Sequence, residues 1–399
     1  MSVQSQPESA PDAAAPLVAG APPPSLFQPA TQPRGGSASD RLLVIDPQRG
    51  SFGDATVGDL DQFILAGDLI VLNDAATLPA SLSGHSERES PIEIRLCGGG
   101  RDGQYQAVLL GAGEWRTPTE HRPPPEVLRP GDRIVLADGF WATIEVVEPV
   151  SYRLVRLRFN LEGARLWQSL YRCGRPVQYA YMRESLPLWS VQNCYACRPW
   201  AAERPSAGRP LTITQLVALT KRQASIATVT HAAGLSSTGD AAIDALLPLP
   251  EWYDIPAATV QAVERTRANG GRVIAVGTSV VRALEGCVVN HGRLVAGEGK
   301  TDLVIGPEHE LSIIDSLLTG LHEPTVSHYR LLQAFVPVTL LHAAYNHAGL
   351  AGYLGHEFGD VSLMLPRALP MVAPRGRSRP RGGRIGDAWA AAAPGIEQS

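Results

Sequence analysis

One strand-to-helix turn has residues that suit the binding of an anion. The apolar run RVIAV passes through Gly277 directly into Thr278, Ser279 and a helical pattern. This order predicts that free backbone N–H groups, two hydroxyl groups and the positive end of a helix dipole point at one spot. Such a spot suits a carboxylate, a phosphate or a ribose. The alternative is that Thr278 merely caps its own helix.

Arg282 and Glu285 follow on the same predicted helix, three residues apart. Side chains at this spacing lie on one helix face. If that face is exposed, the two residues form no more than a surface ion pair. If they face a cleft instead, the guanidinium of Arg282 can bind a carboxylate through two parallel hydrogen bonds. The sequence leaves both interpretations open.

Two histidines occupy positions suited to proton exchange. His231 ends the apolar run SIATVT and opens the loop HAAGLSSTGD, whose glycines, Gly234 among them, permit a ligand to approach the backbone. His322 lies in LLTGLHEP, between an apolar run and a proline. An imidazole can accept or donate a proton near neutral pH. A structural, hydrogen-bonded histidine is the alternative at both positions.

Two aspartates border apolar runs. Asp74 follows LIVL and Asn73, and Asp360 precedes VSLML. Each is interpreted either as a turn or cap residue or as a carboxylate in a cleft.

The cysteines indicate reduced thiols, because an odd number in a long chain does not form a disulfide framework. Cys194 and Cys197 have the spacing of a redox or metal motif, but no second pair accompanies them, so we expect no metal site. The five cysteines are Cys97, Cys173, Cys194, Cys197 and Cys287.

Hydrophobic periodicity predicts the elements that position these residues. Strand character begins at RLLVID, near Arg41, and continues in LIVL. Between residues 77 and 159 the pattern changes to short alternating runs separated by Gly and Pro, which predicts a small β-barrel. Helical periodicity follows in LEGARLWQSLY and in TITQLVALTKRQ, where Thr212 and Gln215 have the spacing of a capping box.

The clearest unit runs from Ser225 to Glu285. It consists of strand SIATVT, a helix between Pro256 and Gly270, strand RVIAV and a second helix that begins near Thr278. Such a βαβα unit predicts parallel strands covered by helices, with ligands at the carboxyl ends of the strands. The fold class is therefore predicted to be α/β.

The composition is ordinary for a globular protein of about two domains. The 399 residues are 44% apolar and 19% charged, with a formal net charge of −4. A chain so close to neutrality can still bind RNA through a local cluster of Lys and Arg. No apolar run approaches the length of a membrane span and no signal peptide is recognisable, so we expect a cytoplasmic protein.

Both ends have the composition of disordered tails. Residues 1–38 are rich in Ala, Pro, Ser and Gln, which cannot bury enough apolar surface to fold. Residues 367–399 form the second tail, whose first part, residues 367–384, contains six arginines and no acidic residue. We expect this second tail to be solvated, with a weak RNA-contacting arm as the alternative.

A series of segments is similar, in order, to the motifs of one enzyme family. GDLIVLND is similar to GDLLVLN, RPSAGRPLT to APTAGLHFT, VTHAAGL to VTLHVGL and RVIAVGTSVVRALE to AVGTTSVRTLE. TDLVIGP, LLTGLHEP and FGDVSLML are similar to TDIFIYPG, LTNFHLPKS and YGDAMLI. Over residues 29–366 the chain thus resembles the S-adenosylmethionine:tRNA ribosyltransferase-isomerase family of queuosine biosynthesis.

The resemblance implies a larger α/β domain, residues 39–76 and 160–366, that carries a small β-barrel domain, residues 77–159, as an insertion. It implies transfer of the ribosyl part of S-adenosylmethionine to 7-aminomethyl-7-deazaguanine in tRNA, with isomerisation to epoxyqueuosine and release of adenine and methionine. S-adenosylmethionine and tRNA are the implied partners, and S-adenosylmethionine is a substrate rather than a cofactor. We expect no cofactor and a monomeric protein.

The motif match also implies site residues. His231, His322 and Asp360 are the candidates for acid–base catalysis. The candidates for substrate binding are Asn73, Asp74, Ser206, Gly208, Gly234, Gly277, Thr278, Ser279, Arg282 and Glu285.

Several positions depart from the family's motifs. Pro210 replaces the histidine of APTAGLHFT, and Gly320 and Thr325 replace the asparagine and lysine of TNFHLPKS. A proline can neither transfer a proton nor donate a hydrogen bond. Two alternatives therefore stay open: a relative that uses S-adenosylmethionine with a different acceptor, and a non-catalytic RNA-binding protein.

Overall fold

The structure is a computed structural model that describes residues 25–366. The predicted tail of residues 367–399 and the first 24 residues of the predicted N-terminal tail lie outside this range. The strands are β1 (Gln28–Pro29), β2 (Arg41–Asp46), β3 (Ser51–Thr56), β4 (Leu69–Asn73), β5 (Ala75–Thr77), β6 (Ser81–Ser86), β7 (Pro91–Leu96), β8 (Gln104–Leu110), β9 (Arg133–Ala137), β10 (Phe140–Val147), β11 (Leu154–Phe159), β12 (Arg198–Ala201), β13 (Ser225–His231), β14 (Glu251–Ile255), β15 (Val273–Val276), β16 (Gly297–Thr301), β17 (Ser316–Gly320), β18 (Leu354–Gly355) and β19 (Val361–Met364). The α-helices are α1 (Leu60–Phe63), α2 (Gly163–Cys173), α3 (Ile213–Lys221), α4 (Ala241–Asp244), α5 (Ala257–Ala268), α6 (Thr278–His291), α7 (Ser327–Leu332) and α8 (Val338–Leu350).

A mixed sheet of nine strands forms the larger part of the fold, in the order β16-β14-β13-β4-β15-β17-β19-β2-β3. Every residue of β4 is buried, and its side chains alternate between two cores. Leu69 and Val71 enter one core, whereas Ile70 and Leu72 enter the other. A strand covered on both faces has an unbroken apolar sequence. This explains the run LIVL.

The barrel is a closed sheet of six antiparallel strands, in the order β10-β11-β8-β7-β6-β9. Its interior is a separate apolar core that includes Leu82, Ile94, Val108, Ile144 and Leu157. The chain enters the barrel after β4 and returns to the large sheet at β13. The predicted fold class, a larger α/β unit with an inserted small β-barrel, is confirmed.

Four neighbouring strands of the large sheet run in the same direction. β4 pairs in parallel with β13 and with β15, and β15 pairs in parallel with β17. Their carboxyl ends therefore share one edge of the sheet, where a ligand site is expected in α/β folds. Helix α6 begins directly after β15 at this edge.

The predicted βαβα unit is present, but its strands are not adjacent. β4 lies between β13 and β15, and the structure adds β14 between β13 and α5. The sequence of β14, EWYDI, alternates buried and half-buried residues, because it pairs antiparallel with β13 near the edge of the sheet. The predicted cap of α3 is confirmed, since the Thr212 hydroxyl accepts a hydrogen bond from the Gln215 backbone N–H at 3.3 Å.

Ordered structure begins earlier than the sequence indicates. Phe27 is buried in the main core, and β1 pairs in parallel with β18. The Glu323 carboxylate accepts hydrogen bonds from the backbone N–H groups of Leu26 at 2.9 Å and Phe27 at 3.1 Å. These long-range contacts offset the ordering cost of a segment whose composition alone predicts disorder.

A buried ion pair joins the starts of β4 and β15. The Asp68 carboxylate accepts hydrogen bonds from the Arg272 guanidinium, with a contact of 2.5 Å to Nη2, and from the backbone N–H of Leu65 at 2.7 Å. The two side chains are 2% and 9% exposed, so neither charge is solvated if its partner is lost. The pair thus fixes the register of two strands whose opposite ends border the site described below.

Asp68→Ala should therefore reduce the free energy of unfolding by about 3–5 kcal/mol, the usual cost of breaking a buried ion pair. Urea unfolding measures this change. Asp61→Ala is the matched control, because the Asp61–Arg222 pair is solvent-exposed and should contribute at most about 1 kcal/mol. Equal losses in the two variants would contradict the role assigned to Asp68.

Candidate active site

A cavity of about 880 Å³ lies at the carboxyl ends of β13, β15 and β17. Its floor comes from the large sheet and from the start of α6. The opposite wall comes from Pro118–Glu120, in the loop between β8 and β9 of the barrel, and from the segment Tyr179–Tyr181. The cavity therefore lies between the two parts of the fold.

The predicted strand-to-helix turn lines this cavity. Gly277 has φ of 95°, a conformation that side-chain-bearing residues rarely adopt. It is the N-cap residue of α6, so Thr278 does not cap the helix but begins it. The first N–H groups of a helix have no partner within it. The turn thus presents backbone donors and the hydroxyl groups of Thr278 and Ser279 to the cavity.

Asn73, at the end of β4, holds the neighbouring elements in place. Its amide nitrogen donates to the backbone oxygen of His231 at 3.1 Å and to the Ser279 hydroxyl at 3.2 Å. Its amide oxygen accepts from the backbone N–H of His231 at 2.9 Å. Asn73 itself is not part of the cavity wall. Its geometry is that of a positioning residue.

Arg282 reaches the cavity and has a different partner from the one its spacing suggests. The guanidinium is 6% exposed and forms an ion pair with Glu251, whereas Glu285 does not contact it. Its Nε donates to the Leu303 backbone oxygen at 3.2 Å, and its Nη2 has no hydrogen-bond partner among residues 25–366. Burial lowers the pKa of Arg282 to about 10. The surface-pair interpretation is wrong, and one guanidinium nitrogen has no partner among the described residues.

Glu285 lies outside the cavity, contrary to its predicted place among the binding residues. Its side chain is 1% exposed and accepts hydrogen bonds from three consecutive backbone N–H groups, those of Ser312 at 2.9 Å, Ile313 at 2.8 Å and Ile314 at 3.1 Å. This carboxylate anchors the segment before β17. Its partners are 27 to 29 residues away in the chain, so local spacing could not reveal them.

Asp360 likewise does not line the cavity. It is 2% exposed, accepts hydrogen bonds from both terminal nitrogens of Arg34 at 3.1 Å and accepts one from the backbone N–H of Leu354 at 2.9 Å. Arg34 also contacts Asp40, which pairs with the buried Arg209. A carboxylate so fully bound stabilises the fold, which is a correction to its predicted acid–base role.

His231 lines the cavity and is nearly inaccessible to solvent, with 1% exposure. Neither ring nitrogen has a hydrogen-bond partner in the described part of the chain, although Nε2 lies 3.3 Å from Oε2 of Glu251. Burial, together with the nearby charge of Arg282, holds the pKa of His231 well below its usual value. The imidazole is therefore neutral at neutral pH.

His322 also lines the cavity, at the end of β17. Its Nε2 is 3.0 Å from the Thr319 hydroxyl, and its ring stacks on His328 with a centroid distance of 5.0 Å. Burial and the neighbouring His328 and His356 hold the pKa of His322 well below normal. Burial and Arg282 lower the pKa of His328 to about 4. Two imidazoles are thus kept neutral side by side.

The remaining candidates divide into two groups. Ser206 and Gly234 line the cavity. Asp74 and Gly208 do not, since Asp74 accepts a hydrogen bond from the Thr230 hydroxyl at 2.5 Å and Gly208 packs against Tyr195.

Similarity to known proteins agrees with this geometry. Residues 23–364 match the model of a family described as queuosine biosynthesis protein. The chain belongs to this family. The S-adenosylmethionine:tRNA ribosyltransferase-isomerase of Synechococcus sp. (strain RCC307) is 34% identical over 338 residues, 82% of this chain and 89% of that protein. The enzyme of the same name from Acidithiobacillus ferrooxidans is 33% identical over 337 residues, 82% of this chain and 92% of that protein.

A crystal structure of an S-adenosylmethionine tRNA ribosyltransferase from Thermotoga maritima is also similar. It is 23% identical, has a TM-score of 0.47 and covers 86% of this chain and 100% of its own. Between residues 25 and 366, no helix has both the length and the apolar character needed to cross a membrane.

Three of the departures from the motifs of the queuosine biosynthesis family fall in different places. Gly320 and Thr325 line the cavity, so the missing asparagine and lysine change its wall. Pro210 is buried and is not part of the cavity wall. The replacement of the family's histidine by Pro210 therefore does not change the residues that line this cavity.

Several cavity residues were not predicted from the sequence. Glu251 holds Arg282 and accepts the backbone N–H of Gly234 at 2.6 Å. Glu203 and Glu357 line the wall nearest the barrel, where they contact Tyr179 and Tyr181. No local motif marks them, because each contact joins distant parts of the chain. The only feature of the sequence that could have identified Glu203 and Glu251 is that each is an acidic residue next to an apolar run.

No metal site is evident where the structure describes the chain. Within residues 25–366, no group of three or more His, Cys, Asp or Glu side chains could hold a metal ion. Cys194 and Cys197 are exposed free thiols.

The neutral histidines of the cavity predict a loss of stability in acid. A histidine whose pKa is lower in the folded state takes up a proton on unfolding, so stability is present above pH 6.5 and falls as the pH drops toward the folded pKa. For His328 this window is from about 6.5 to about 4. His231 and His322 act in the same direction.

The test is the free energy of unfolding, measured between pH 7.5 and 4.5. His328→Gln should flatten the slope by up to about 1.4 kcal/mol per pH unit, the value for one proton. His291→Gln is the control, because His291 is exposed at the end of α6. An unchanged slope in His328→Gln would show that the pKa of this imidazole is not lowered in the folded protein.

Proposed function

We propose that this protein is an S-adenosylmethionine:tRNA ribosyltransferase-isomerase. It transfers the ribosyl part of S-adenosylmethionine to 7-aminomethyl-7-deazaguanine in tRNA and isomerises it to epoxyqueuosine, with release of adenine and methionine. Its similarity to the curated relatives over 82% of the chain supports this function. In this proposal the protein acts in the cytoplasm as a monomer and needs no cofactor.

The start of α6 is the single feature that carries the proposal. It combines free backbone donors, the hydroxyl groups of Thr278 and Ser279, and the unpartnered Nη2 of Arg282 in one cavity. S-adenosylmethionine offers a carboxylate and a ribose, which are the groups that such donors bind. We assign the donor substrate to this end of the cavity.

His231 is the group that we assign to proton transfer. It is held by Asn73 at the floor of the cavity, and its neutral ring has an unoccupied nitrogen lone pair. A base must be neutral to accept a proton, so the depressed pKa keeps it in the competent form throughout the neutral range. His322 is the second candidate, because it lines the same cavity.

A second function deserves a test because of the altered wall. Gly320 and Thr325 replace larger polar residues of the family's motif and leave the cavity with fewer donors. The second candidate function is therefore that of an enzyme that uses S-adenosylmethionine with another acceptor. Mass spectrometry of tRNA nucleosides, from cells with and without the protein, distinguishes the two acceptors.

If Arg282 binds the carboxylate of S-adenosylmethionine, Arg282→Ala should weaken the affinity at least tenfold, because a charge-assisted hydrogen bond contributes about 1.5–3 kcal/mol. Arg282→Lys keeps the charge beside Glu251 but lacks the planar fork, and should lose part of the affinity. Calorimetry gives both values. Arg265→Ala, on the exposed face of α5, is the control. Wild-type affinity in both Arg282 variants would remove this residue from the donor site.

His231→Gln should lower the rate of adenine release by a factor of roughly 10² to 10⁴, the usual contribution of proton transfer. Glutamine keeps a polar side chain of similar size, so the melting temperature should stay close to that of the wild type. Equal turnover would exclude His231 as the base and leave His322 as the candidate. A large drop in melting temperature would instead support a structural histidine.

A further inference from the structure

Two acids in the cavity wall have no cationic partner. Glu203 and Glu357 are half-buried and line the cavity, yet neither forms an ion pair with a Lys, Arg or His side chain within residues 25–366. Glu251, in the same cavity, is neutralised by Arg282. Among the acids that line the cavity, Glu251 is therefore paired with an arginine, whereas Glu203 and Glu357 form no ion pair among the described residues.

Each unpaired acid is held by a tyrosine. The hydroxyl of Tyr179 donates to Oε1 of Glu203, and the hydroxyl of Tyr181 donates to Oε2 of Glu357. Oε1 of Glu203 also accepts the backbone N–H of Ser236 at 2.9 Å, whereas its Oε2 has no hydrogen bond in the described part of the chain. The two tyrosine rings are stacked, with centroids 6.2 Å apart and planes at 19°. The two tyrosine–glutamate pairs are therefore neighbours.

Burial destabilises the charged forms of Glu203 and Glu357 when no ligand is bound. Burial raises the pKa of Glu203, against the opposing hydrogen bonds of Tyr179 and Ser236 and the charge of Arg95. Burial also raises the pKa of Glu357 to about 7. A carboxylate in such surroundings is stabilised when a cation reaches it. A cationic ligand therefore favours the charged form of both acids, whereas without one they tend toward the neutral form.

An independent observation shows that this cavity is built for a polar ligand. His231 is 1% exposed and both of its ring nitrogens lack a hydrogen-bond partner among the described residues, as does Nη2 of Arg282. These donors and acceptors line the same cavity as Glu203 and Glu357. One part of the cavity thus offers a cation, and another offers two acids with aromatic rings.

We propose that Tyr179, Tyr181, Glu203 and Glu357 form an acidic aromatic cage that binds the primary amine of the acceptor as an ammonium ion. The carboxylates supply charge-assisted hydrogen bonds to the ammonium, and the two stacked tyrosines hold the carboxylates in place. This inference rests on the proposed function, in which the acceptor carries an aminomethyl group. The cage makes the amine, rather than the purine-like ring alone, the feature that the protein selects.

The test uses calorimetry with two probes, free 7-aminomethyl-7-deazaguanine and its uncharged 7-hydroxymethyl analogue. The wild-type protein should bind the amine at least tenfold more tightly. The double variant Glu203→Gln/Glu357→Gln should lose at least tenfold in affinity for the amine, while its affinity for S-adenosylmethionine changes less than twofold. Glu184→Gln, an exposed acid on the same segment as Tyr181, should bind both ligands as the wild type does.

Two results would overturn the cage. One is equal binding of the two probes by the wild-type protein, a comparison that needs no variant to fold. The other is a double variant that loses S-adenosylmethionine but keeps the amine, which would assign the acids to the sulfonium of the donor. Failure of the proposed function looks different: the protein would then transfer no ribosyl group to tRNA and yet prefer the amine probe.

Discussion

The site depends on one buried amide, that of Asn73 at the end of β4. It bonds to both backbone groups of His231 on β13 and to the hydroxyl of Ser279 on α6. Because β4 separates β13 from β15, no direct ladder joins the strand that carries the histidine to the strand that leads into the helix. A neutral side chain with two donors and an acceptor is well suited to this place. A charged one would alter the electrostatics of the cavity floor.

The charges of the site follow from burial more than from composition. The chain as a whole is close to neutral, but the cavity holds Arg282 beside Glu251, a set of neutral imidazoles, and two acids that bind tyrosines but form no ion pair in the described part of the chain. In a medium of low polarity each charge needs a partner, and each group without one becomes neutral instead. The distribution of paired and unpaired groups therefore separates the cavity into chemically different ends.

The sequence predicted the features that depend on residues close together in the chain. Apolar runs predicted β2, β4, β13 and β15 of the large sheet and most strands of the barrel, but not β14. The order of the motifs indicated the family. Strand order could not be predicted, since β4 lies between β13 and β15 only through long-range pairing. For the same reason helix spacing suggested Glu285 as the partner of Arg282, whereas the true partner is 31 residues away. Asp360 was misjudged because its partner Arg34 lies 326 residues earlier in the chain.

The order of strands in the large sheet also determines when the cavity can form during synthesis. β2 pairs with β19, and the wall at Glu323 binds Leu26 and Phe27, so the first and last described segments must meet. The barrel, by contrast, is contiguous between Ser81 and Phe159. A nascent chain can thus close the barrel while β2 is paired only with β3 and still lacks its second neighbour, β19. Until β19 leaves the ribosome, one side of β2 is an unpaired strand edge.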